Sequence, residues 1–176
     1  MDRVGAALAL TASHVALRPF ERTAGDELQG VFDAAESVVD VSTQLIEDGH
    51  WSVGIGIGAV ELPLPVQTRA GRGPAFEAAR VAVTRAKNAA GSIAVAGTSA
   101  DDADSALALL AFVVGRRTPE GRAAVVLMRA GLSQAAAAER LGVSKQAVSQ
   151  RLSVAGWAFE EKARGLAVRL LERVDQ

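Results

Sequence analysis

The chain has 176 residues and a formal net charge of −1, and 49% of its residues are hydrophobic, which is ample for a buried core and argues against intrinsic disorder. Aromatic residues make up only 4%, so the composition favours closely packed helices over a core filled with rings. Cysteine is absent, which excludes disulfides, thiolate metal ligands and cysteine nucleophiles, and we expect a cytoplasmic location.

The first half of the chain alternates helical and extended patterns. The residues predict, in chain order, a helix over 3–17, strands over 17–23 and 28–33 around a turn at 24–27, a helix over 34–48, a strand over 50–61, a helix over 75–89 and a strand over 92–96. The apolar stretch Val4–Leu10 is expected to be a helix and not a signal peptide, because Asp2 cancels the charge of Arg3. No run approaches the ~20 apolar residues of a membrane span. This order predicts an α+β domain that is ferredoxin-like and lacks the first strand.

Glycines 54, 56 and 58, with Ala59, formally match the GxGxxG/A dinucleotide-binding pattern. Such a site needs a helix N-terminus directly after the glycines, where backbone N–H groups meet the pyrophosphate. Pro63 and Pro65 follow instead and forbid that helix. We interpret the segment as a glycine-containing strand that lies under a neighbouring helix.

Three segments of this half carry a family resemblance. Arg22–Leu28 reads RTAGDEL and resembles the RxGGDEF hairpin, with Ala24 in place of the first glycine. Trp51–Gly58 is similar to the strand that follows, and Gly73–Lys87 to the last helix with its AK pair. Together they resemble the nucleotide-cyclase and GGDEF superfamily and, more closely, the small SatD family in its form with an appended helix-turn-helix.

The resemblance implies a two-metal site, held by one carboxylate on the first strand and one on the hairpin. Asp26 matches the hairpin ligand, but no acidic first strand is expected before it. We therefore expect a degenerate domain without catalytic residues, metal or cofactor, in which Asp26 and Glu27 cap backbone N–H groups of the turn. Two alternatives stay open: a nucleotide ligand whose phosphates meet Arg69 and Arg72, and a metal-dependent nucleotide-processing enzyme built on Asp26.

The second half of the chain is predicted to be entirely helical. After an acidic linker over 97–104, capped by Ser99 or Asp101, helices are expected over 105–115 and 119–129, with a final helix over 157–174. One side of the final helix is apolar: Trp157, Phe159, Ala163, Leu166, Leu170 and Leu171. This helix either closes a C-terminal domain or forms a dimer seam. We predict a cyclase-like domain over 1–98 and a helical DNA-binding domain over 99–176.

Gly131–Gly156 predicts two short helices joined by a glycine turn. Ser133 is the N-cap of the first helix, which stops at 141–143, where Gly142 allows a left-handed turn. Ser144 caps the second helix, over 145–154. Six apolar residues are expected between the helices and the core: Leu132, Ala138, Leu141, Val143, Val148 and Leu152. The pattern is that of a DNA-binding helix-turn-helix, and it resembles sigma-factor region 4, in which SxxAVSxRL is a familiar second-helix pattern.

The polar side of this unit carries hydroxyls, amides and cations, which bond phosphates and base edges. The expected DNA contacts are Ser133, Gln134, Arg140, Ser144, Lys145, Gln146, Ser149, Gln150 and Arg151. From Arg116 onward eleven basic residues oppose six acids, a formal charge of +5, while the preceding residues carry −6. We expect a double-stranded-DNA-binding transcriptional regulator that is not an enzyme. We also expect it to form a homodimer, so that two second helices meet successive major grooves. A protein-interaction adaptor is a further alternative.

Overall fold

The computed structural model describes residues 2–174, which form eight α-helices, four strands and one 3₁₀ helix. The elements are α1 (Arg3–Thr11), β1 (Arg18–Arg22), β2 (Leu28–Val31), α2 (Ala35–Asp48), β3 (Val53–Gly56), a 3₁₀ turn (Thr68–Ala70), α3 (Pro74–Ala86), β4 (Ile93–Ala96), α4 (Asp101–Gly115), α5 (Pro119–Arg129), α6 (Gln134–Leu141), α7 (Lys145–Val154) and α8 (Trp157–Val174). The predicted α+β class is confirmed. Among residues 2–174, no helix is both long enough and apolar enough to cross a membrane.

The four strands form two separate two-stranded sheets. β1 and β2 make an antiparallel hairpin, in which Arg22 lies opposite Leu28 across the predicted turn. β3 and β4 are parallel neighbours connected through α3. The hairpin packs its Phe20 and Leu28 into a cluster with Leu45 of α2, and Val53 of β3 borders the same cluster. The ferredoxin-like arrangement is therefore not confirmed, because the strands of residues 2–174 do not join in one sheet.

The glycines of β3 allow α3 to lie directly on the strand. A β-carbon at Gly54 would overlap the backbone of Val83, and one at Gly56 would overlap the backbone of Ala79. Only residues without a side chain permit this approach. The interpretation of this segment as a strand beneath a helix is confirmed, although β3 is shorter than the predicted 50–61.

The main core lies where the β3–β4 sheet meets α2, α4 and α8. Leu107, Leu110 and Val114 of α4 are at most 1% exposed, and Ala167 and Leu171 of α8 join them. The predicted division between residues 98 and 99 falls between the sheet and α4, which packs against it, while α8 packs in turn against α4 and α2. α4 packs on the sheet because α3 covers only one of its faces, and the other apolar face needs α4 to remove it from water.

The start of α4 differs from the expectation. The helix begins at Asp101, and Ala100 is its N-cap, without a side-chain hydrogen bond. Ser99 adopts a positive φ of 59° before the helix, so the predicted cap by Ser99 or Asp101 is wrong. Three aspartates occupy the first turn instead, where negative charge is favoured by the helix dipole.

A second core holds α5, α6 and α7 together. Its buried members are Ala124, Val125, Ala137, Ala138, Val148, Leu152 and Ala155, with Leu127, Met128, Leu141, Val143 and Trp157 packed around them. Five of the six predicted inward positions are confirmed, namely Ala138, Leu141, Val143, Val148 and Leu152, whereas Leu132 is not a member of this core. Trp157 lies at the boundary of this core, and α8 continues from there into the main core.

A buried ion-pair network joins the two cores. Arg117, between α4 and α5, donates to Glu160 of α8 at 2.6 Å, to Glu47 of α2, and to the carbonyl of Ala155 at 2.9 Å. Arg129 of α5 donates to Glu47 at 2.8 Å and also contacts Glu160. Burial alone lowers the pKa of Arg129, but hydrogen bonds and charge from the two glutamates raise it above its usual value. The network fixes the α5–α7 unit to α2 and α8.

Candidate nucleic-acid interface

Local capping sets the limits of α6 and α7. The Ser133 hydroxyl accepts the N–H of Ala136 at 3.2 Å, and the Ser144 hydroxyl accepts the N–H of Ala147 at 3.1 Å. Gly142 ends α6 in the left-handed conformation, with φ 65° and ψ 34°. The glycine turn and both serine caps are confirmed, and α7 spans the predicted Lys145–Val154. The two helices are therefore fixed by signals that lie within a dozen residues.

One side of α7 is anchored in the second core. Val148 is 0% exposed and Leu152 is 4% exposed. Ala137 and Ala138 of α6 are buried in the same cluster, so small side chains face α7 where the helices meet. Close packing on this side fixes the rotation of α7, and so determines which residues face outward.

The opposite side of α7 is exposed and polar. Its exposed polar residues are Lys145, Gln146, Ser149, Gln150 and Ser153. Within residues 2–174, the side chains of Lys145, Gln146, Ser149 and Gln150 form no hydrogen bond or ion pair. Arg140 is exposed on α6, while Gln134 is only half exposed. These groups leave one cationic, amide-rich surface next to the turn.

Arg151 differs from the other expected contacts. It is half-buried and lies close enough to Glu120 of α5 to act on its carboxylate. The pKa of Glu120 is lowered first by a hydrogen bond from its own backbone, then by the Thr118 hydroxyl, and also by the charge of Arg151. Arg151 is thus positioned at the edge of the polar surface with an acid nearby.

The hairpin residues with a predicted ligand role are exposed at the tip of the turn. Glu27 donates its backbone N–H to the carbonyl of Ala24 at 2.9 Å, and Gly25 has φ 58°. Within residues 2–174, the carboxylates of Asp26 and Glu27 make no hydrogen bond, so the expected side-chain capping is not observed. The same part of the chain contains no group of three His, Asp or Glu residues that could hold a metal ion.

The two arginines of the alternative ligand site are exposed on the loop before α3. The Arg69 backbone N–H donates to Glu21 of β1 at 2.8 Å, and its guanidinium donates to Gln67 at 3.1 Å. Arg72 is held through its backbone carbonyl, which accepts the N–H of Glu61 at 3.0 Å. No contact in residues 2–174 brings either guanidinium to Asp26.

Sequence reasoning missed the buried network and misplaced part of the positive charge. Arg117, Arg129 and Arg164 counted toward the basic C-terminal part, but they pair with Glu47, Glu160 and Asp40. Glu47 and Asp40 lie before Arg116, in the part of the chain that carries net negative charge. Within residues 2–174, the exposed cations of the C-terminal part that form no ion pair are Arg116, Arg140, Lys145, Lys162, Arg169 and Arg173.

Comparison of the chain with protein families, with curated proteins and with solved structures gives no match.

Proposed function

We propose that the protein binds double-stranded DNA in a sequence-specific manner and regulates transcription. The observation that carries this proposal is the division of α7 into two sides. Its apolar side is locked by Val148 and Leu152, while its hydroxyls, amides and lysine face outward without protein partners. A helix that follows a tight turn from a supporting helix has the shape of a helix-turn-helix, whose second helix enters the major groove.

Gln146 and Gln150 are the candidates for base recognition. They lie four residues apart, so both amides point from the same side of α7 on successive turns. A glutamine side chain can form a bidentate pair with adenine, in which its NH2 group donates to N7 and its oxygen accepts from the N6 amino group. Lys145, Ser149 and Arg140 supply phosphate and base-edge contacts around them.

The N-terminal part serves this function as a platform or sensor. Its RTAGDEL hairpin resembles a cyclase-like domain, and within residues 2–174 the exposed Asp26 belongs to no group of three or more side chains that could hold a metal ion. We propose an inactive domain whose Glu47 pairs with Arg117 and Arg129 and so helps to hold α7 in position. The absence of cysteine supports a cytoplasmic protein.

Titration of fluorescent duplexes selected from a random library tests the proposal. The Gln146→Ala/Gln150→Ala variant should lose roughly 30-fold or more in affinity for the selected duplex, because two amides contribute about 1 kcal/mol or more each. The matched control Gln67→Ala/Asn88→Ala removes two exposed amides elsewhere and should bind as the parent does. Equal affinity of the first variant and the parent would show that α7 does not read bases.

A further inference from the structure

The outer side of α4 carries a regular pattern that the DNA-binding surface does not use. The exposed residues Asp102, Ser105, Leu109, Phe112 and Arg116 follow one another at steps of three, four, three and four. Leu109 is 69% exposed and Phe112 is 51% exposed. We call these five residues the α4 seam. A 3–4 spacing repeats every 3.5 residues and keeps one side of a helix facing a partner helix.

The α4 seam lies opposite the buried side of the same helix. Leu107, Leu110 and Val114 are at most 1% exposed and pack into the main core. A helix that is apolar on both sides gains from a partner on each, because large exposed apolar side chains leave water on association. The core supplies a partner for the inner side only.

The charges of the α4 seam are arranged symmetrically about Leu109. Asp102 lies seven residues before it and Arg116 lies seven residues after it. In an antiparallel pair of α4 helices centred on Leu109, each Asp102 therefore faces the Arg116 of the other copy. Neither residue has an ion-pair partner within residues 2–174. The Arg116 guanidinium lies 4.7 Å from the centre of the Phe112 ring, which keeps it on the seam.

We propose that α4 pairs antiparallel with α4 of a second copy of this chain, with the twofold axis at Leu109. A twofold interface uses the same surface on both subunits, so it must be self-complementary, and the α4 seam is self-complementary in charge and at Leu109, which meets Leu109 of the second copy. The proposal goes beyond DNA binding, because the seam contains no residue of α6 or α7.

The neighbouring helix α8 extends this interface. α4 has 15 residues and is about 22 Å long, which is short for a stable dimer on its own. A β-carbon on Gly156 would touch Val113, so α8 begins beside the end of α4 and runs back along it. Phe159 is 72% exposed and Leu166 is 45% exposed on α8.

The charges of α8 favour a twofold axis on α4 over one on α8. The exposed side of α8 has the same spacing of three and four residues. Its members are Phe159, Lys162, Leu166, Arg169 and Arg173, so three of the five are cations. Two α8 helices paired through this side would bring like charges together, which is unfavourable. The α4 pair has opposite charges at both ends and avoids this repulsion.

Sedimentation equilibrium without DNA tests the interface by charge exchange. The parent should have twice the chain mass of 18.2 kDa. Asp102→Arg and Arg116→Asp should each weaken dimerisation at least tenfold, because like charges then meet. The double variant Asp102→Arg/Arg116→Asp should restore the dimer. Arg80→Asp, an exposed arginine of α3, is the control and should stay dimeric. A monomeric parent at high concentration, or single variants as dimeric as the parent, would overturn the proposal.

Cross-linking supplies a second measurement that does not depend on a destabilising charge. The chain has no cysteine, so Leu109→Cys introduces a single thiol at the proposed axis. Mild oxidation should link two copies of this variant, whereas Val81→Cys, at a position of α3 that is 56% exposed, should stay unlinked. Absence of the link at Leu109 contradicts the axis. Because both measurements omit DNA, a failure here is distinct from a failure of DNA binding.

Discussion

Glu160 shows how much one buried side chain can contribute to the arrangement of the whole molecule. Its carboxylate is 0% exposed and receives hydrogen bonds from Arg117 and Arg129. Removing one partner from a buried ion pair leaves the other charge uncompensated, which is far more costly than losing a surface pair. The network therefore stabilises the position of α5 relative to α8.

We expect Glu160→Gln to lower the free energy of unfolding by about 3–5 kcal/mol, because Arg117 and Arg129 lose one of the two glutamates that they share, and Glu160 is the fully buried one. Urea unfolding followed by circular dichroism measures this change. Glu161→Gln, the exposed neighbour, is the control and should change stability by less than about 0.5 kcal/mol. A loss at Glu160 as small as that of the control would mean that the network does not stabilise the fold.

At the scale of elements, the strand beneath α3 gives a sharp test of packing. We expect Gly56→Ala to destabilise the protein by about 1–3 kcal/mol or more, because the new β-carbon overlaps the backbone of Ala79. Gly165→Ala in α8 is the matched control: its β-carbon meets only the end of the Arg169 side chain, at 3.5 Å. Alanine should stabilise α8 by up to about 1 kcal/mol there. Thermal unfolding of both variants measures the contrast, and equal effects would be inconsistent with this packing.

The elements near the candidate site could be predicted because their signals are local. Ser133, Gly142 and Ser144 determine the ends of α6 and α7 through contacts three or four residues away. The pairing of the strands could not be predicted in the same way. β1 and β2 pair across a short turn, but the parallel pairing of β3 with β4 joins segments about forty residues apart and depends on α3 packing over the glycines.

At the scale of the whole molecule, the net charge of the C-terminal part overstates the charge that DNA can meet. Arg117 is buried and pairs with Glu47, seventy residues away in sequence. Sequence patterns contain no signal for such a distant pair. The remaining exposed cations near α7 are few, so the salt dependence of binding should be moderate.

We expect the logarithm of the DNA association constant to fall with the logarithm of salt concentration with a slope of roughly −3 per copy, from Arg140, Lys145 and Arg151. Lys145→Ala should reduce that slope by about 1 and weaken binding to every duplex similarly. Titrations at several salt concentrations measure both effects. Lys87 is exposed directly after α3, outside α6 and α7. Lys87→Ala serves as the control and should leave the slope unchanged. An unchanged slope for Lys145→Ala would remove that residue from the interface.

The central claim is that the outer side of α7 lies in the major groove. Ser149 is in the middle of that side, and the absence of native cysteine allows Ser149→Cys to carry a single iron chelate that cleaves nearby DNA. The selected duplex should be cut at a few adjacent positions that face one major groove, while the chelate on Val81→Cys should give no localised cutting. Diffuse or absent cutting from position 149, in a complex that still forms, would contradict the assignment of α7 as the recognition helix.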